Sequence, residues 1–258
     1  MKLSVVALAL SLTGCAAAEH AILGLAPDQQ WVAKPRPKVR VAKLPESKTT
    51  SIHDKAPELS LPPWNVPVPK PSQELRYALP PPLLFKAASP AVYAVLGKAT
   101  TLATSQGSAV AVSLTEAITN CHVVARAKTI TLANATTRLQ AEVIAADRKT
   151  DRCYLRVLDG ELEPVPGFRD YASLSVGEAV FTIGSPEGLI NTLGDGLVSG
   201  LRRSEDGTEY IQITAPVSPG SSGGGVFDDR GNLIGITMFT IRNAQSLNFA
   251  IAASHFWR

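Results

Sequence analysis

Short runs of β-branched and aliphatic residues, separated by glycine-rich turns, fill the chain from about residue 88 to its end. Many short strands with regular turn signals are typical of β-sandwiches and β-barrels. No amphipathic helical period longer than two turns interrupts the runs, and strand–helix alternation is missing. The pattern therefore predicts an all-β domain. Its candidate strands are 91–95, 108–112, 129–132, 140–144, 154–157, 179–183, 210–213, 225–227, 233–236 and 247–251.

Proline and charge divide the chain into two parts. Fourteen of the nineteen prolines lie within 27–90, whereas seventeen of the nineteen glycines lie from residue 97 onward. Residues 31–90 carry ten Lys/Arg against four Asp/Glu, and residues 91–258 carry fourteen against sixteen. Proline lacks an amide donor, so we expect no helix or sheet here and predict a disordered, basic, semi-rigid tether over 15–86. The scattered positive charges favour a solvated linker over a site for an anionic polymer.

The N-terminus has the pattern of an export signal. Lys2 precedes an apolar run over 3–12, which is too short for a membrane-spanning helix of roughly twenty residues. The next residues complete Leu12-Thr13-Gly14-Cys15, which resembles the lipobox of bacterial lipoproteins. That resemblance implies a signal peptide over 1–14, a lipid anchor at Cys15 and an outer-membrane location facing the periplasm. The alternative is an ordinary secretion signal cut near 16–18.

A serine in a glycine-rich turn is the first candidate for chemistry. Ser222 lies in 219–225, a segment of Pro, Gly and Ser between two predicted strands. Nucleophilic serine needs a base in contact, an acid that orients the base, and donors for the oxyanion. The glycines permit a tight turn, which could aim backbone amides at one point. The turn alone is equally compatible with a flexible hairpin loop.

A histidine and an aspartate complete the candidate constellation. Of the four histidines, His20 and His53 lie in the arm and His255 lies three residues from the end. His122 remains, in an apolar run where a polar ring needs a reason. Asp151 opens a predicted strand, where a turn could fix its carboxylate, and Asp147 competes for the same role.

Order and spacing of these motifs resemble the HtrA-type branch of trypsin-like serine peptidases. The motifs that carry the resemblance are 107–112, 119–124, 147–151, 176–188, 220–224, 231–236 and 248–251. The resemblance implies two six-stranded antiparallel β-barrels over 87–258, one at about 87–168 and the other at about 169–254. The active site would lie between them, and the function would be serine endopeptidase. Ser221 departs from the family's usual Asn, and no PDZ module is expected within 258 residues.

The resemblance also places the substrate. The substrate would add a strand along 246–250. Pro216, Val217 and Ala250 near the predicted pocket favour a small apolar P1 side chain, and the absence of a carboxylate six residues before Ser222 argues against Lys or Arg. The residues assigned to the oxyanion hole are Gly220, Ser221 and Ser222, and those assigned to substrate binding are Pro216, Val217, Asn248 and Ala250.

The remaining cysteines, Cys121 and Cys153, flank the predicted base and its orienter. If His122 and Asp151 are in contact, the two sulfurs are neighbours. In the oxidising compartment of an exported protein, such a pair can form a disulfide. The sequence predicts protein or peptide substrates and a membrane contact through Cys15. It predicts no metal site, cofactor or nucleic-acid partner. The alternative function is a catalytically weak envelope lipoprotein that binds peptides or scaffolds a complex on a protease fold.

Overall fold

The computed structural model describes residues 60–65, 67, 73–99, 104–186, 189, 191–240 and 247–257, with backbone only at residues 239 and 240. The predicted signal peptide, Cys15 and most of the predicted arm lie outside these residues. Across the described residues the chain is mainly strands, and none of the helices there is long and apolar enough to cross a bilayer.

The first barrel is closed by six strands in the order β1-β2-β3-β6-β5-β4. Its strands are β1 (Val92–Lys98), β2 (Thr104–Ala111), β3 (Glu116–Asn120), β4 (Thr129–Ala133), β5 (Arg138–Asp147) and β6 (Arg152–Val157). Every pairing between neighbours is antiparallel. Alternation of apolar and polar residues, as along β5, turns one face of each strand to the barrel interior.

The second barrel repeats this architecture in the order β10-β11-β12-β9-β8-β7. Its strands are β7 (Ala179–Gly184), β8 (Thr192–Arg203), β9 (Glu209–Ile213), β10 (Gly225–Asp228), β11 (Leu233–Thr240) and β12 (Asn248–Ala252). Its pairings are also antiparallel. The prediction of two six-stranded antiparallel barrels is confirmed.

A short helix precedes the first barrel, where the sequence analysis expected none. Helix α1 (Pro81–Ala88) begins with prolines in its first turn, and Leu84 donates its amide to the Pro80 carbonyl at 3.0 Å. Proline is tolerated there because the first amides of a helix have no intrahelical partner. Leu84 and Ala88 are fully buried. The helix thus begins six residues before residue 87, the predicted start of the peptidase domain.

The segment before α1 packs on the second barrel through backbone hydrogen bonds. Asn232 accepts the Leu75 amide at 2.6 Å with its side-chain oxygen and donates to the Leu75 carbonyl at 2.9 Å. Leu79 donates to the Asp229 carbonyl at 2.8 Å. Residues 73–80 therefore belong to the folded domain rather than to the arm.

Trp64 attaches an earlier part of the chain to the barrels. Its ring centroid lies 6.1 Å from that of Tyr154 and 6.0 Å from that of Phe256, with the Arg152 guanidinium 5.0 Å from the ring centroid. Aromatic and cation–π contacts of this kind each stabilise by about 0.5–1.5 kcal/mol. Trp64 thus covers the start of β6.

Three apolar clusters form the core. One fills each barrel, and the third joins the two barrels. Each large apolar side chain buried in this way contributes about 1.5–3 kcal/mol. The joining cluster fixes one barrel against the other and so fixes the crevice between them. Its members include Val110, Ile118 and Tyr154 from the first barrel and Phe227, Leu233 and Ile236 from the second.

A disulfide links Cys121 to Cys153, with their Cα atoms 4.8 Å apart. Cys121 begins helix α2 (Cys121–Val124), directly after β3, and Cys153 lies in the neighbouring strand β6. A bridge with a sequence separation of 32 residues stabilises by about 3–4 kcal/mol through the unfolded chain. It also joins the helix that carries His122 to the strand that follows Asp151.

Candidate active site

Asp151 ends the turn between β5 and β6 in a left-handed conformation, with φ 57°. Aspartate tolerates this region better than most residues. Its carbonyl oxygen accepts the Cys121 amide and the Asn120 side-chain amide, both at 3.2 Å. These two bonds hold the turn against the end of β3. They direct the Asp151 carboxylate toward His122, the residue that follows Cys121.

Both oxygens of the Asp151 carboxylate contact His122. One accepts the His122 backbone amide at 2.8 Å, and the other lies 2.6 Å from the ring Nδ1. The carboxylate therefore favours the tautomer with the proton on Nδ1, which leaves Nε2 free to accept a proton. The His122 side chain is 51% exposed and that of Asp151 is 15% exposed. The ring can thus meet a substrate while its orienter is shielded.

Asp147, the competitor for this role, holds the turn instead. Its carboxylate accepts hydrogen bonds from the Lys149 and Thr150 amides, the Thr150 hydroxyl and the Arg152 guanidinium. Burial alone would raise the pKa of Asp147, but the bonds from Arg152 and Thr150 outweigh burial and hold the pKa below its ordinary value. Asp147 thus stays ionised at neutral pH and is committed to the turn that precedes Asp151.

The serine loop, residues 218–224, begins with a type II turn. Pro219 and Gly220 occupy its central positions, Gly220 has φ 92°, and the Ser221 amide donates to the Ser218 carbonyl at 2.9 Å. Proline followed by glycine is what this turn type requires. The Ser221 amide, which the sequence analysis placed in the oxyanion hole, is therefore engaged. Within the described part of the chain, the amides of Gly220 and Ser222 donate no hydrogen bond.

Ser222 is half-buried, and its hydroxyl donates to the Met238 carbonyl at 3.0 Å. Among contacts between described residues, this bond takes the place of one to His122. Gly223 follows with φ 86°, and a Cβ there would lie 1.9 Å from the Ser108 carbonyl oxygen, so only glycine fits. The serine loop thus lies directly on strand β2 of the first barrel.

Gly107 shows how closely the loop approaches His122. A Cβ at Gly107 would lie 2.5 Å from the side chain of Val123, the neighbour of His122, and 3.0 Å from the Ser222 carbonyl oxygen. The absent side chain lets the two barrels meet at this point. The structure therefore brings the serine loop and the helix that carries the predicted base to the same junction between the barrels.

The predicted substrate strand is wrong for a topological reason. Strand β12 pairs with β11 on one edge and with β9 on the other, so it has no free edge to add a strand. Strand β11 pairs with β10 only from Leu233 to Ile236. Within the described residues, the edge of β11 from Met238 to Thr240 has no strand partner on that side. This open edge begins at the carbonyl that receives the Ser222 hydroxyl.

The four predicted substrate-binding residues have different surroundings. Ala250 is fully buried in the core of the second barrel, and the buried Asn248 side chain donates to the Ala215 carbonyl at 2.7 Å. Pro216 is exposed and Val217 is half-buried, both just before the serine loop. Pro216 and Val217 thus keep a place at the crevice, whereas Ala250 cannot line an open pocket.

Two residues beside Ser222 escaped the sequence analysis. Met238 contributes a backbone carbonyl, which no sequence signal marks. Ser108 donates its amide to the Ser222 carbonyl at 2.8 Å. The sequence signal for Ser108 was the glycine–serine pair at the start of the predicted strand 108–112. Its contact with the serine loop can be recognised only when the second barrel is in place.

Two packed six-stranded barrels, one carrying a histidine oriented by an aspartate and the other a serine in a glycine-rich loop, are typical of the trypsin-like class. A family model for the trypsin-like peptidase domain matches residues 107–236, just over half of the chain. The chain belongs to the trypsin-like peptidase family.

Similar proteins come from bacteria and from a plant chloroplast. "Protease Do-like 1, chloroplastic" of Arabidopsis thaliana is 40% identical over 130 residues, which cover 46% of this chain and 29% of that protein. A "probable periplasmic serine endoprotease DegP-like" of Halomonas elongata is 38% identical over 141 residues, covering 52% and 30%. The chain thus spans less than a third of the length of these two relatives.

Solved structures show the same likeness. The HtrA-type protease AlgW with a tripeptide matches with a TM-score of 0.61 at 30% identity, covering 67% of this chain and 59% of that one. Deg5 matches with a TM-score of 0.57 at 30% identity, covering 67% and 88%. The matches extend the fold assignment over two thirds of the chain.

Proposed function

We propose that this chain is a serine endopeptidase of the bacterial cell envelope. The observation that carries the proposal is the pair of contacts from the Asp151 carboxylate to the backbone amide and ring Nδ1 of His122, which leave Nε2 available as an acceptor. An imidazole fixed in this tautomer is a general base for a serine hydroxyl. The relatives named above are proteases, which supports the same reaction class.

The reaction would proceed through an acyl-enzyme. The Ser222 hydroxyl rotates from the Met238 carbonyl, transfers its proton to Nε2 of His122 and attacks the peptide carbonyl carbon. The amides of Gly220 and Ser222 receive the oxyanion. His122 then protonates the leaving amine, and a water molecule, deprotonated by His122, releases the acyl group. Asp151 keeps the ring oriented and stabilises the imidazolium throughout.

The substrate backbone would pair with the open edge of β11, from Met238 to Thr240. Extended peptides bind free strand edges through main-chain hydrogen bonds, and side-chain pockets then give specificity. Pro216 stands six residues before Ser222 and carries no charge, so a small apolar P1 side chain remains the proposal.

Cleavage-site profiling of the full chain against a peptide library tests this specificity. We expect cuts after small apolar residues such as Ala and Val, because Pro216, six residues before Ser222, offers no carboxylate to a basic side chain. The free termini can be identified by mass spectrometry, with the Ser222→Ala variant as the background. Predominant cleavage after Lys or Arg would contradict the pocket assignment, though not the reaction.

A second candidate function is peptide binding without turnover. The hydrogen bond from the Ser222 hydroxyl to the Met238 carbonyl favours it, because in this arrangement the hydroxyl does not contact the base. Absence of cleavage, together with measurable peptide binding, would support this alternative.

Envelope location and lipid anchoring form the remaining part of the proposal. DegP-like relatives are named as periplasmic, and Leu12-Thr13-Gly14-Cys15 has the lipobox pattern. More than one acyl chain on Cys15 would give stable membrane attachment. Metabolic labelling with an alkyne-tagged fatty acid should mark the wild-type chain in bacterial membranes and leave Cys15→Ser unmarked. Equal labelling of both would refute the anchor.

A further inference from the structure

Ser108 of β2 directs its polar groups across the junction between the barrels. It is fully buried. Its amide donates to the Ser222 carbonyl at 2.8 Å, and its hydroxyl donates to the Gly220 carbonyl at 2.9 Å while accepting the Ser185 amide at 2.9 Å. These three bonds all run from the first barrel to the second. The Ser108 hydroxyl is thus the side-chain group that fastens the serine loop to the barrel carrying His122.

The bond to Gly220 fixes the direction of a whole peptide unit. In a planar trans peptide, the C=O and N–H groups point in opposite directions. The unit between Gly220 and Ser221 is held at one end by the Ser108 hydroxyl and at the other by the Ser218 carbonyl, which accepts the Ser221 amide at 2.9 Å. It therefore cannot rotate without breaking both bonds.

The next peptide units are fixed in the same way. The Ser221 carbonyl accepts the Gly224 amide at 2.8 Å, so the Ser222 amide of that unit points to the opposite side. The Ser222 carbonyl accepts the Ser108 amide, while the Gly223 amide donates to the Thr237 carbonyl at 2.9 Å. The Ser222 amide thus keeps its direction, because the carbonyl of its own peptide unit and both groups of the next unit are engaged.

Gly220 is the residue in this turn whose backbone conformation is least restricted by its own side chain. A glycine adopts φ on either side of zero at little cost, so the turn can change type unless neighbouring contacts prevent it. Such a change would turn the Gly220 amide away from the Ser222 amide. That change rotates the peptide unit between Pro219 and Gly220. The Ser108 hydroxyl holds the following unit, between Gly220 and Ser221, and so fixes the backbone on the C-terminal side of Gly220.

We propose that Ser108 is a positioning residue, whose hydroxyl anchors the Gly220 carbonyl from across the barrel junction and so holds in place the loop that carries the Gly220 and Ser222 amides. The proposal rests on the proposed serine endopeptidase function. Ser108 does not touch the substrate; it acts through the loop. Its removal therefore weakens binding of the transition state and leaves ground-state binding of the peptide almost unchanged.

The test compares Ser108→Ala with wild type in the full chain, using a cleavable peptide and a peptide boronic acid. The Ser222 oxygen adds to the boron of this inhibitor, and the tetrahedral boronate that results mimics the tetrahedral intermediate. We expect kcat to fall about 10- to 100-fold, with KM changed less than about threefold. We also expect the inhibition constant of the boronic acid to rise by a similar factor. A loss of packing alone would not produce this split.

Ser254→Ala is the matched control. Ser254 is also buried, and it lies in the C-terminal turn, where its hydroxyl contacts Glu209 at 3.5 Å. We expect it to keep wild-type kcat. Ser108→Cys retains a weaker donor of similar size and should give an intermediate kcat at unchanged KM; if Ser108→Ala does not fold, this variant alone carries the test.

Wild-type kcat and boronic acid inhibition in folded Ser108→Ala, or in Ser108→Cys where only that variant folds, would overturn the proposal. An equal loss in Ser254→Ala would also overturn it, because a general effect of buried-hydroxyl removal would then explain the result. Failure of the proposed function gives a different pattern. In that case the wild type itself shows no turnover that depends on Ser222.

Discussion

Replacement of Ser222 by Ala should lower kcat by roughly 10⁵- to 10⁶-fold while KM changes little. The variant loses the nucleophile, but it keeps the amides of Gly220 and Ser222 and the open edge of β11. A residual rate above the uncatalysed reaction should therefore persist. The fold should be retained, because among the described residues the lost hydroxyl makes a single hydrogen bond, to the Met238 carbonyl. Peptide hydrolysis and thermal unfolding of the purified variant measure the two effects.

Ser221 provides the matched control for this substitution. It neighbours Ser222, and its hydroxyl oxygen lies 3.4 Å from the Ser218 amide, within the turn. Ser221→Ala should lose no more than about tenfold in kcat, since its hydroxyl has no part in the reaction. A fluorophosphonate probe should label wild type and Ser221→Ala, but not Ser222→Ala. Labelling that survives in Ser222→Ala would show that another residue is the nucleophile.

The second large effect is expected at Asp151. Asp151→Asn should lower kcat by about 10⁴-fold, because an amide nitrogen facing Nδ1 favours the wrong tautomer of His122. The backbone bond from His122 to the remaining side-chain oxygen can persist, so peptide binding should change little. The ratio of kcat to KM, measured with the same peptide for both proteins, reports the loss.

Asp147 is the matched control in the same turn. Asp147→Asn weakens the ion pair with Arg152 and the bonds to Thr150, so it should lower the free energy of unfolding by about 1–3 kcal/mol. Its kcat should stay within about threefold of wild type once the protein is folded, because its carboxylate does not reach His122. A loss of kcat at Asp147 equal to that at Asp151 would mean that the turn as a whole, rather than one carboxylate, orients the base.

The surroundings of Arg152 show why this turn is rigid. Its guanidinium bonds to Asp147, to the Thr150 hydroxyl and to the His255 carbonyl, and Trp64 covers it. Contacts from the first barrel, the C-terminal turn and the N-terminal segment therefore stabilise the left-handed backbone at Asp151. The base is oriented by parts of the chain that lie far apart in sequence.

The sequence by itself determined the local elements of this protein. Alternating apolar residues and glycine turns predicted the strands, because side chains in a strand point alternately to opposite faces. Proline and glycine at positions 219 and 220 predicted the tight turn, because their backbone preferences match it. His122 and Ser222 followed from chemistry and exclusion. These features depend on neighbours in the chain, so they can be recognised without a structure.

Only the tertiary structure decided what depends on closure of the barrels. It showed that the carboxylate of Asp151, which the sequence had assigned as the orienter, faces His122, whereas that of its competitor Asp147 faces Thr150 and Arg152. It moved the free edge from β12 to β11, because an edge is free only after every other strand has found its partner. It placed Ser108 and Trp64 beside the site through contacts between segments that no sequence period relates. Such contacts depend on strand register and on the packing of one barrel against the other, which are properties of the whole chain.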